Sequence, residues 1–132
     1  MTDNIRVKIC GITQLEDAFD AVNAGADALG FIFFSGSPRS IELAKAKYIV
    51  SSIPPFVAKI GLFVNPSRSA VEDCINDVGI DTLQFHGDER PEFCDIFGLP
   101  WIKTISVDEK SNIAQSIALY SNASAYLFDT KK

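Results

Sequence analysis

Several materials from which functional sites are built are scarce in this sequence. It holds one histidine, His86, and three cysteines, Cys10, Cys74 and Cys94, with no CxxC spacing. That leaves no zinc-ligand pattern, and an odd number of thiols leaves one outside any disulfide. Basic residues number 12 against 17 acidic ones, for a formal net charge of −5. The basic stripe that a nucleic-acid surface needs is therefore absent. No apolar run approaches the ~20 residues of a membrane helix, and no basic-then-apolar leader opens the chain. These absences predict a soluble, cytoplasmic protein without a nucleic-acid or membrane partner. There is also no GxGxxG, no P-loop and no serine triad, so no cofactor and no metal is implied.

What is present is a foldable core. A chain of 132 residues with 47% hydrophobic content predicts one domain spanning residues 1–132. The stretch Val7-Lys8-Ile9-Cys10-Gly11-Ile12-Thr13 reads as a strand that stops at a cysteine, turns at a glycine and meets a helix cap. Thr13 and Glu16 have the spacing of a capping box. Leu15, Ala18, Phe19 and Val22 then fall on one helical face. Gly25 takes the position just past that helix.

The same alternation repeats. Strands are expected at Ile5–Ile9, Ala28–Phe34, Phe56–Val64, Thr82–Phe85, Trp101–Ser106 and Ala125–Phe128. The second helix, capped by Ser40, would face inward with Ile41, Ala44, Tyr48 and Ile49. Asn65 would cap the third, with Pro66 at its first position and Val71, Cys74, Ile75 and Val78 inward. Asp88 would cap a short fourth helix containing Phe93, Ile96 and Phe97, and the fifth holds Ile113, Ile117 and Tyr120. Cys74 and Cys94 read as small core residues. Six strands separated by five helices, at spacings long enough for parallel crossovers, define an α/β class.

The chemically interesting residues share one edge of such a sheet. Cys10 follows the first strand, Arg39 lies in the loop after the second, His86 follows the fourth, and Asp129 follows the sixth. Each has an ordinary structural explanation: an inert thiol, a solvated loop charge, a turn brace, a helix cap. Their convergence on the carboxyl edge, where α/β folds bind ligands, argues for a site. A thiol just ahead of a helix would be acidified by the amide dipoles, giving a base. An aspartate buried among Leu127 and Phe128 would hold its proton. Thiolate and carboxylic acid across a hollow form a proton-transfer pair. Arg39 offers a planar fork for a carboxylate.

Five ordered motifs make the pattern specific. They are Lys8-Ile9-Cys10-Gly11-Ile12-Thr13; Gly30-Phe31-Ile32-Phe33 with Ser37-Pro38-Arg39; Leu62-Phe63-Val64-Asn65; Gln84-Phe85-His86-Gly87-Asp88-Glu89; and Leu127-Phe128-Asp129-Thr130. Across the whole chain they closely resemble the phosphoribosylanthranilate isomerase family, (βα)₈ TIM-barrel enzymes of tryptophan biosynthesis. The resemblance implies the Amadori rearrangement of N-(5-phosphoribosyl)anthranilate to 1-(2-carboxyphenylamino)-1-deoxyribulose 5-phosphate. It also implies roles. Asp129 would be the general acid that protonates the ribose ring oxygen, and Cys10 the base that takes the proton from the sugar C2. Arg39 would hold the anthranilate carboxylate, and His86 would line the pocket.

The family barrel has eight strands, and only about six βα units are legible here, so an incomplete barrel is expected. The units that bind the substrate phosphate, the loops after strands 7 and 8, would be the missing ones. Three readings follow. The chain is the isomerase in truncated form; or it is a catalytically inactive fragment that self-associates through open edge strands; or it is a doubly wound receiver-like domain. The last would place acidic residues where Cys10-Gly11 and Val64-Asn65 stand.

Overall fold

The computed structural model of the chain describes residues 4–130. Strands and helices alternate throughout: β1 (Lys8–Cys10), α1 (Leu15–Asn23), β2 (Ala28–Ile32), α2 (Leu43–Ser52), β3 (Ala58–Phe63) and α3 (Arg68–Asp73). Then come β4 (Thr82–Phe85), α4 (Pro91–Cys94), β5 (Trp101–Val107), α5 (Ile113–Leu119) and β6 (Ala125–Thr130). Helix α3 runs on as a π-helical turn, Cys74–Val78, and α4 as a 3₁₀ turn, Asp95–Phe97.

All six strands are parallel and lie in the order β1-β2-β3-β4-β5-β6. A doubly wound sheet reverses its strand order at a switch point, so the receiver reading is excluded. The sheet is also strongly curled. Lys8 of β1 donates from Nζ to Gln84 Oε1 of β4 at 2.6 Å. On a flat sheet those positions would lie roughly 14 Å apart across three strand spacings and about 13 Å apart along the strands. Two side chains span that gap only if the sheet bends toward itself. The result is an open α/β half-barrel.

The main core fills the layer between the convex face and the helices. Leu29, Phe31, Phe63, Leu83, Phe85 and Trp101 meet Ala18, Ala46, Ile49, Val71, Cys74 and Cys94 there. Phe85 sits at its centre, with ring contacts to Phe63, Phe93, Phe97 and Trp101. Burial pushes the Cys74 and Cys94 thiols up to about 12, so both are inert core groups.

Helix starts differ from expectation, and in one case, Asn65, a tertiary partner takes the capping group: its Oδ1 accepts from Asp88 N. Helix α1 begins after Gln14 with no side-chain cap, so the Thr13–Glu16 box does not form. Ser40 forms a bridge with Ile32 instead, and α2 starts at Leu43. Its inward face also differs: Ala46, Ile49 and Val50 are buried, while Ala44 and Tyr48 are exposed. Ser67, not Asn65, caps α3 by accepting from Ala70 N. Arg90, not Asp88, occupies the cap position of α4, with Pro91 at the first turn. Phe19, expected inward, is 40% exposed.

Candidate active site

The concave face can be traced residue by residue. A Cβ at Gly30 would meet Cys10 Sγ at 3.0 Å and Lys8 Cε at 3.1 Å. Glycine at this position thus leaves room for the thiol, and Lys8, Cys10 and Gly30 share one face. Lys8 reaches Gln84, and Gln84 Nε2 donates to Thr104 Oγ1 at 3.2 Å, which extends the face across β4 and β5. Thr104 pairs in register with Leu127 and Ser106 with Asp129. Because side chains alternate along a strand, Asp129 faces the same side as Leu127. His86, two residues past Gln84, closes the circuit: its Nε2 lies 3.7 Å from Asp129 Oδ2.

Arg39 joins from the loop after β2. Its Nη1 donates to the Cys10 carbonyl at 3.1 Å. The guanidinium lies against Gly11, where an added Cβ would stand 2.5 Å from Arg39 Nη1. Gly11 also adopts φ 85°, a conformation that favours glycine. So the glycine after the cysteine both turns the chain and makes space for the arginine. Cys10, Arg39, His86 and Asp129 thus all stand at the carboxyl edge, with two direct contacts among them.

Two site expectations need correction. Asp129 lies within β6 rather than after it, and Cys10 likewise is the last residue of β1 rather than following it. Nor is it buried among Leu127 and Phe128: its side chain is 47% exposed and stands beside His86. Strand alternation sends Phe128 to the opposite face, where it is exposed. A cleft of about 830 Å³ between the loop after β2 and α3 is lined by Phe33, Phe34, Ile41, Leu43 and Cys74. None of the four rim residues borders it.

Sequence reasoning missed the residues beneath the His86 turn. Lys103 and Glu89 form a buried ion pair, Nζ to Oε1 at 3.1 Å. Glu89 also accepts from Asn65 N at 2.7 Å and Gly87 N at 3.0 Å, while Lys103 Nζ donates to the Gly87 carbonyl. Tyr120 Oη donates to the Glu89 carbonyl at 2.6 Å, and desolvation raises that phenol, keeping its proton in place. The available signal was a lysine in the middle of the apolar strand Trp101-Ile102-Lys103-Thr104-Ile105.

Comparisons with known proteins point to one family. A family model described as N-(5′-phosphoribosyl)anthranilate (PRA) isomerase matches residues 7–132. The N-(5′-phosphoribosyl)anthranilate isomerase of Stutzerimonas stutzeri is 50% identical over 126 residues, 96% of this chain and 61% of that protein. The same-named protein of Nitrosospira multiformis is 47% identical over 127 residues, again 96% and 61%. Among solved structures, the phosphoribosylanthranilate isomerase of Thermotoga maritima superposes with a TM-score of 0.91 at 37% identity, covering 98% of this chain and 63% of that one. Another, in complex with reduced 1-(o-carboxyphenylamino)-1-deoxyribulose 5-phosphate, gives 0.90 at 37% identity, covering 98% and 66%. The chain spans about three fifths of the length of the curated relatives it matches.

Proposed function

Because this chain belongs to the N-(5′-phosphoribosyl)anthranilate isomerase family, we propose that it carries the acid–base half of that enzyme's site. The reaction is the Amadori rearrangement of N-(5-phosphoribosyl)anthranilate to 1-(2-carboxyphenylamino)-1-deoxyribulose 5-phosphate in tryptophan biosynthesis. On this reading residues 1–132 are one domain, six βα units of a (βα)₈ barrel working in the cytoplasm. The substrate phosphate would be held by loops after the seventh and eighth strands.

Asp129 protonates the ribose ring oxygen, the C1–oxygen bond breaks, and the anthranilate nitrogen takes up the charge as a protonated Schiff base. Cys10, as thiolate, removes the proton from C2 and returns the electron pair toward nitrogen, giving an enolamine. Tautomerisation then yields the ketone. No step consumes an oxidant, a reductant or a metal. Arg39 receives the anthranilate carboxylate in its fork. His86, next to Asp129, orients the carboxyl group that donates the proton.

The observation that supports this reading is the shared concave face. Cys10 and Asp129 sit on the first and last strands, and Arg39 and His86 contact one of them each. The test is turnover of N-(5-phosphoribosyl)anthranilate by the full-length parent protein, where activity is expected. A folded parent that leaves the substrate unchanged refutes the assignment.

A second reading concerns the 132-residue chain alone. Val7, Ile9 and Phe128 on or beside the edge strands are each at least 40% exposed. Unpaired parallel edges next to apolar surface favour self-association, and without phosphate anchoring the chain would turn over little substrate. A monomeric mass together with substantial turnover by the isolated chain would contradict it.

A further inference from the structure

Lys103 lies on the helix-facing side of β5, in register with Phe85, and is buried. A buried ammonium and carboxylate gain little stability over apolar residues of the same volume, so the pair calls for another explanation. Its bonds all lead to one place. Four of the six backbone polar groups of Gly87–Glu89 are engaged: Gly87 N by Glu89, Gly87 O by Lys103, Asp88 N by Asn65 Oδ1 and Glu89 O by Tyr120. Asn65, which accepts from Asp88 N, is itself held at φ 47° by the bond from its N–H to Glu89. On the other side, His86 N donates to the Phe63 carbonyl at 2.9 Å. The backbone is fixed before and after His86, and only its imidazole projects, exposed, toward Asp129.

We propose that the buried Glu89–Lys103 pair is a positioning device that sets the His86 imidazole against the Asp129 carboxylate. Glu89 and Lys103 are both buried beneath the turn and act through it. The inference deepens the isomerase reading and rests on it for the value of placing His86. The contact itself can be read without substrate.

His86 is the only histidine in the sequence, so its ring Cε1 proton gives one assignable resonance. In the unaltered chain, Asp129→Asn should shift that resonance, because the two side chains touch. The informative background is Glu89→Leu combined with Lys103→Met, which removes both buried charges and leaves no uncompensated ion. If the pair matters only for stability, this double variant folds and the response of His86 to Asp129→Asn survives. If the pair positions the turn, the variant folds and the response is lost. A retained response overturns the proposal, as does a His86 signal indifferent to Asp129→Asn in the unaltered chain.

Should the double variant fail to fold, amide exchange in the unaltered chain decides. The Asn65 and Gly87 amides, bonded to Glu89, should exchange at least on the order of 10-fold more slowly than in unstructured chain. Exchange at the unstructured rate overturns the proposal. Neither readout needs turnover, so absence of isomerase activity would sink the functional reading and leave this one standing.

Discussion

Strands β4 and β6 carry the two side chains that meet, His86 and Asp129, yet they stand in opposite surroundings. Strand β4 is paired on both sides, and Leu83, Gln84 and Phe85 are buried. Strand β6 is paired only with β5 among the described residues, and none of its residues is buried. Strand β1, with Cys10, is like β6 paired on one side only among the described residues; it is just three residues long, with Ile9 40% exposed. The side chains assigned to proton transfer thus lie on the least supported strands. The histidine that contacts one of them stands on a clamped turn in the middle of the sheet. The chain fixes one wall of its hollow firmly and the other walls weakly.

The largest expected effect should separate those regions by stability. Phe85→Ala removes the ring at the centre of the core and should cost about 3–5 kcal/mol. Phe128→Ala, on the exposed face of β6, should cost within about 0.5 kcal/mol. Chemical denaturation of the two variants measures both, and equal losses would erase the contrast. Next in size is the buried pair: Lys103→Met alone should cost about 3–5 kcal/mol, because it strands the Glu89 carboxylate. Restoration of stability in Glu89→Leu/Lys103→Met would show that the uncompensated charge was the cause.

A third contrast comes from alkali. Burial holds the Cys74 and Cys94 thiols up at about 12, against 9.0 for a free thiol. A raised folded value means that the unfolded chain loses these protons first. Their contribution is complete below about pH 9 and is lost as pH rises toward 12. Denaturation at stepped pH should show that decline, and it should be blunted in Cys74→Ala/Cys94→Ala. The mildest probe is alkylation under native conditions. Iodoacetamide should label Cys10 alone, with Cys74 and Cys94 reacting only after unfolding, since the first is half-buried and the others buried. Three equally fast thiols would mean that the middle of the molecule is no tighter than its edge.

How much was legible in the sequence follows the same division. The position of each strand could be read because continuous apolar runs and glycine stops are local signals. Thr82–Phe85 matches its predicted span, and β6 differs only by running on through Asp129 and Thr130. The four rim residues were legible because parallel order alone puts strand ends on one edge. Helix caps were not: the Asn65 side chain accepts from Asp88 N, far away in sequence, and the backbone at Ser40 pairs with Ile32 so that the helix starts later. The Glu89–Lys103 pair was invisible for a related reason. Burial of Lys103 makes sense only once β5 lies beside the turn after β4, and no local pattern states that neighbourhood.

The central claim is that a thiol and a carboxyl group on the two weakly held strands divide the proton transfers between them. Its most direct test is kcat for Cys10→Ser and for Asp129→Asn in the full-length parent, each checked for unchanged folding. The account predicts that either substitution lowers kcat by about 10²- to 10⁴-fold, the usual worth of a general acid or base. Wild-type turnover from either folded variant would contradict it.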